Sequence, residues 1–137
     1  MKIVLDTNVF VSALRSHAGA SRRLLRTIFE SKVSCVTSTA LWMEYEDLIH
    51  RPIWGDTTTL AQREILLDAL AQHSEWVSLY FNWRPNLRDE GDNFLIELAI
   101  AANADAVVTH NLKDLKSGEL IFPNLRILTP DVFLEQL

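Results

Sequence analysis

Lys2-Ile3-Val4-Leu5-Asp6-Thr7-Asn8-Val9-Phe10 opens the chain, and the rest of the sequence is read from it. Ile3, Val4 and Leu5 form an unbroken apolar run, the pattern of a strand buried on both faces, as in a parallel sheet. A carboxylate, a hydroxyl and an amide follow, with no Gly or Pro between them. Ligands of open α/β sheets sit at the carboxyl ends of strands, so Asp6 is placed to face a cleft. The other reading makes Asp6 or Thr7 the cap of a helix starting near Asn8, since both residue types cap well. This segment alone leaves the two open.

Working outward, the same alternation recurs. Short strands are expected at 33–36, 76–80, 106–109 and 125–128, the one at 106–109 leading into the polar pair His110-Asn111. Helices are expected over 8–15 and 21–32, the second burying Leu24, Leu25, Ile28 and Phe29 and leaving Arg22, Arg23 and Arg26 largely outside. Thr37, Ser38 and Thr39 offer caps for a helix reaching about His50, which Pro52 closes. Further helices are expected over 58–73, from Asp92 onward, and over 131–137, where Thr129-Pro130 places a cap before a first-turn proline. Residues 83–91, with Pro85 and Gly91, read as a polar turn. Strands alternating with helices predict a three-layer α/β fold, a central, mostly parallel sheet flanked by helices. At 137 residues, with no linker or internal repeat, 1–137 is expected to form one domain.

Composition narrows the function classes. No apolar run approaches the ~18 residues of a membrane span, and Asp6 and Asn8 interrupt the opening stretch too early for a signal peptide. Cys35 is the one cysteine, which rules out an internal disulfide and a cysteine-based zinc site and suits a reducing cytoplasm. The formal net charge of −5 argues against gripping nucleic acid by bulk positive charge; a nuclease whose acids are gathered at one site remains open. The four glycines, Gly19, Gly55, Gly91 and Gly118, form no phosphate-cradling loop.

In a parallel sheet all strands end on one edge, and the returning helices begin there. That topology would bring Asp6, Glu44, Asp92, Asn111 and Asp114 to one rim. Glu44 shares the spacing of Leu41 and Leu48, and a carboxylate on an apolar stripe is costly unless paired or bound to metal. Glu46, beside Trp42 and Ile49, has a weaker claim of the same kind. Ordinary duties exist for each: a salt bridge for either glutamate, a helix start for Asp92, solvated loop charge for Asp89 and Glu90, a turn for Asn111 and Asp114. Carboxylates crowded on one edge repel each other unless cations lie between them, and Mg²⁺ or Mn²⁺ prefers such oxygen ligands. Two ions about 4 Å apart suit attack on a phosphodiester, one activating water and one stabilising the leaving oxygen.

Four stretches carry a resemblance: Val4-Leu5-Asp6-Thr7-Asn8-Val9; Glu44-Tyr45 followed by His50-Arg51-Pro52; Asp89-Glu90-Gly91-Asp92-Asn93-Phe94; and Val108-Thr109-His110-Asn111-Leu112-Lys113-Asp114-Leu115. In this order the chain resembles the PIN domain ribonucleases, in particular the toxin components of bacterial toxin–antitoxin pairs. The resemblance implies a cytoplasmic endonuclease that hydrolyses single-stranded RNA, with Asp6, Glu44 and Asp92 holding Mg²⁺ or Mn²⁺. Asn111 or Asp114 would complete the site; some relatives have Asp where this chain has Asn111. Thr7, Asn8 or Thr109 would orient water or phosphate. A cognate antitoxin and a homodimer are the implied protein partners, with Trp42, Trp54, Trp76 and Trp83 offering apolar surface. Two other readings stand beside it. A PIN fold can bind RNA or protein without cutting. A haloacid-dehalogenase-like phosphatase also begins with a strand-end Asp, but it needs a second acid two residues on, where this chain has Asn8.

Overall fold

The computed structural model describes residues 1–78, 90–112 and 125–137, with 90–94 described by their helical backbone alone. The opening apolar run becomes β1 (Lys2–Leu5). It is followed by α1 (Thr7–Arg15), α2 (Ala20–Phe29), β2 (Ser34–Thr37), α3 (Thr39–Ile49), α4 (Leu60–Gln72), β3 (Ser74–Trp76), α5 (Glu90–Ala101), β4 (Ala106–Val108), β5 (Arg126–Leu128) and α6 (Pro130–Glu135). The described strands form one five-stranded sheet in the order β3-β2-β1-β4-β5, every pairing parallel. The sheet is flanked by helices: α5 lies against β1, β2 and β4, while α2 packs on α1, α4 and α6.

Burial explains why β1 reads so clearly. Ile3, Val4, Ala106, Val107 and Val108 are all fully buried, because both faces of these two strands are covered. Phe10 and Leu14 of α1, Leu24 and Ile28 of α2, and Phe133 of α6 close over the sheet, each burial contributing about 1.5–3 kcal/mol. Side chains stop the helices where the sequence offers them. Ser38 Oγ accepts the Leu41 N–H at 3.3 Å, and Thr59 and Gln62 exchange bonds in a capping box.

Most boundaries shift by a residue or two from the sequence expectation, and three of the shifts have a physical reason or bear on the site. The third strand starts at Ser74 instead of Trp76. It is an edge strand pairing Cys35, Val36 and Thr37 with Ser74, Glu75 and Trp76, so its polar residues need no apolar alternation; the expected end at Tyr80 lies outside the described residues. The second helix ends at Phe29, and Ser31, in the left-handed region at φ 63°, turns the chain away. The fifth helix starts at Glu90, two residues before Asp92.

The order of strands matters most for function. The chain lays β1, β2 and β3 outward to one side, then places β4 and β5 on the other side of β1. The winding therefore reverses between β1 and β4, and at such a switch point a crevice opens beyond the carboxyl ends of the strands.

Candidate active site

Asp6 stands at that crevice. It occupies the position before α1, yet its side chain makes no cap hydrogen bond; only its backbone carbonyl accepts the Val9 N–H, at 3.0 Å. Of the two duties open from the sequence, capping is thus the one its carboxylate does not perform. Instead Oδ2 accepts the Thr109 hydroxyl across the switch point at 2.7 Å, and Oδ1 lies 3.4 Å from the Thr7 hydroxyl. Asp6 as a whole is buried, 8% exposed.

Thr109, completely buried, follows β4 directly. A hydroxyl has one proton and two acceptor sites. Here the acceptor sites face the Asn111 N–H at 2.9 Å and the Asn8 Nδ2 at 3.5 Å, so the proton is directed to Asp6. Asn8 is oriented in turn by the His110 N–H, which donates to its Oδ1 at 3.2 Å. Four of the residues expected at the site, Asp6, Asn8, Thr109 and Asn111, therefore form one network, with Thr7 beside it.

Tyr45 supports the rim from below. Its phenol, buried among Phe10 and Trp42, donates to the Leu5 carbonyl, one residue before Asp6. Burial first, then the charges of Cys35, Asp6 and Glu44, hold this phenol neutral well above its usual value of 10.0. Asp6 and Glu44 thus both act on the same buried group. Glu44 itself is exposed. The stripe of α3 is Leu41, Tyr45 and Ile49, all buried, with Leu48 only half-buried; the expected cost of a carboxylate on an apolar stripe does not arise. Glu46 is exposed too.

Asp92 sits in the first turn of α5. That turn lies on the carboxyl edge, since α5 runs back to the start of β4. The side chains of Glu90 and Asp92 lie outside the described residues, as do Asp89 and Asp114 in full. Among the described residues no three His, Cys, Asp or Glu side chains come together as a metal site.

Sequence reasoning passed over three features. Glu97 is only 2% exposed, in the middle of α5. The His110 ring meets Ser21 Oγ at 2.9 Å, tying the start of α2 to the end of β4. Asp131 brings a further acid to the rim, its carboxyl held below the usual range by the Thr129 hydroxyl first and also by the nearby His110. A groove of about 490 Å³ leads away from the site. Thr7, Asn8, Val11 and Arg15 line one side and Leu48 and Ile53 the other.

A parallel α/β sheet with a carboxylate fixed at its switch point defines a class of proteins, and comparison of the sequence gives the family. The PIN domain model matches residues 2–113, and the chain belongs to that family. It is 31% identical to an uncharacterized protein of Methanocaldococcus jannaschii over 146 residues, covering 99% of this chain and 91% of that protein. Its fold is similar to that of a chain in the crystal structure of VapBC2 from Rickettsia felis bound to a DNA fragment from their promoter. The TM-score is 0.62 at 19% identity, over 93% of this chain and 97% of that one. Among the described residues, no helix is long and apolar enough to cross a membrane.

Proposed function

We propose that this protein is a divalent-metal-dependent endoribonuclease, cutting single-stranded RNA in the cytoplasm as the toxin of a toxin–antitoxin pair. One observation carries the reading. Asp6 stands at the N-cap position of α1 and does not cap it; its carboxylate is turned into the β1–β4 crevice and held there by Thr109. An acid fixed in that way serves a ligand, because it does no work for the helix.

The residues expected at the site offer oxygen donors, the kind a hard cation prefers. Asp6 stands at the end of β1, Glu44 is exposed on α3 one residue before Tyr45, and Asn111 is exposed with its N–H on the Thr109 hydroxyl. Asp6, Glu44 and Asp92 would hold Mg²⁺ or Mn²⁺, with Asn111 or Asp114 completing the set. When bound, the cation supplies positive charge that activates water and offsets charge on the leaving oxygen. The protein's own part is placement. Thr109 fixes the Asp6 rotamer, and Asn8, its Oδ1 engaged by His110, keeps an amide proton for a phosphate oxygen. Thr7 lines the approach. The motif set supports a cognate antitoxin and a homodimer as partners.

Asn8 also weighs against the phosphatase alternative, since an amide bound in this way cannot act as the second acid. The binding-only alternative draws on Asn111, a neutral side chain where some relatives carry an acid. Cleavage of a labelled single-stranded RNA separates these readings. Activity should vanish with EDTA, return with Mg²⁺ or Mn²⁺, and be lost in folded Asp6→Asn and Asp92→Asn proteins. Wild-type cleavage by both variants overturns the mechanism.

A further inference from the structure

The charge of this chain is unevenly distributed. Residues 7–29 contain four arginines, Arg15, Arg22, Arg23 and Arg26, and no carboxylate, in a protein of formal net charge −5. They fall on α1 and α2, the pair of helices adjoining the candidate site. Arg15, Arg23 and Arg26 are exposed and Arg22 is half-buried. None is ion-paired with a carboxylate among the described residues.

Backbone carbonyls hold three of them in place. Arg15 donates to Ile53 O at 2.8 Å, Arg22 to Ala13 O at 3.0 Å and Arg26 to His17 O at 2.9 Å. A carbonyl orients a guanidinium without neutralising it, and each guanidinium has five N–H donors, so several remain for a ligand. Arg22 and Arg26, four residues apart, share a face of α2, as do Arg23 and Arg26. The surface is continuous with the site by two routes. The groove runs from Thr7 and Asn8 to Arg15, and Ser21 meets His110 where α2 begins. From Thr7 to Arg15 is about 12 Å along a helix, the reach of three to four stacked nucleotides at about 3.4 Å each.

We infer that the arginine face of α1 and α2 is the track for the phosphate backbone of the RNA strand leaving the cleavage site. Single-stranded RNA suits it: a polyanion meets positive charges, three of them held by carbonyls and none ion-paired among the described residues, that an otherwise acidic protein gathers beside one crevice. This rests on the nuclease reading for the direction of the strand, but the binding test below needs no cleavage.

The experiment is a fluorescence-anisotropy titration of the full chain, in EDTA, with a labelled uridine 12-mer at salt from 50 to 200 mM. Each phosphate contact on a single strand contributes about 0.7 to the slope of log affinity against log salt. The Arg23→Gln/Arg26→Gln protein should lose about 1.4 from that slope. A fourfold rise in salt should then weaken the parent about sevenfold more than the variant. Arg23→Lys/Arg26→Lys should restore most of the slope, which a merely structural role would not do. Because the titration is run in EDTA and reads binding alone, a dead nuclease and an absent track give different results. Unchanged slope and affinity in the Gln variant overturn the inference. So does failure of the Lys variant to restore binding, or a loss confined to a polyglutamate peptide, which would assign the face to an acidic protein.

Discussion

Thr109→Val tests the heart of the site with a change of one oxygen. Valine keeps the branched shape of a residue that is completely buried, so the perturbation is chemical. The bond to the Asp6 carboxylate is charge-assisted and contributes about 1.5–3 kcal/mol; the Asn111 N–H loses a partner worth about 1 kcal/mol. The 3.5 Å contact from Asn8 is at the limit of bonding and adds little. The total is about 2.5–4 kcal/mol, and rim water reaching Asp6 places the expected value in the lower half of that range. Against a domain stability of about 5–15 kcal/mol the variant folds, with a melting temperature lower by about 8–12 °C. Cleavage should fall about 10- to 100-fold, the order of loss when a reacting group is held less well. Thr109→Ser keeps the oxygen and drops one methyl, costing about 1 kcal/mol, and should keep cleavage. Urea unfolding followed by circular dichroism gives the stabilities, and a labelled RNA gives the rates. A valine variant within 0.5 kcal/mol of wild type, or a serine variant damaged as badly as the valine one, refutes the reasoning.

Glu44→Gln should abolish cleavage while Glu46→Gln leaves it intact, since Glu44 is the acid of α3 proposed to hold the cation; the reverse result in the same RNA assay would exchange their roles. Arg63, 8% exposed, donates to Ile49 O and Thr58 and lies 5.1 Å from the Trp54 ring centroid, so Arg63→Met should cost about 2–4 kcal/mol in urea unfolding. Burial pushes the Cys35 thiol up to about 12. Its contribution to stability is full below the unfolded value and is lost as pH rises toward 12; at pH 8 a thiol reagent should label it only after denaturation. Trp76 is 47% exposed with Trp42 packed on it at 4.8 Å, and light scattering should give a dimer that Trp76→Glu converts to a monomer.

How far the sequence could be read follows from the range of each interaction. β1 and β4 were legible because strands covered on both faces must be apolar throughout, as residues 3–5 and 106–108 are. Ser38, one of three candidates at 37–39, was legible as a cap because capping is local. The edge strand was misplaced because a half-exposed strand needs no pattern, and Ser74-Glu75 offers none. The bond between Asp6 and Thr109 spans 103 positions, and no periodicity reports such a partner; topology could place both on one rim and no more. Glu44 showed the opposite failure, where spacing suggested a buried stripe that Tyr45 occupies instead. Glu97 looked like any surface charge. Its signal was that Leu95, Ile96, Leu98 and Ala99 surround it, all buried, so an acid set in that apolar run has little surface to occupy.

The reversal of winding between β1 and β4 also sets a timetable. β1 is synthesised before the other described strands, but the neighbour that completes its rim comes about a hundred residues later. Local helices can form early, whereas a contact at that separation forms late. A nascent or truncated chain that ends before residue 106 carries Asp6 without β4 or Thr109, and so without the crevice. For a protein read as cutting RNA, the catalytic rim comes into existence only once β4 and Thr109 have joined β1 in the sheet.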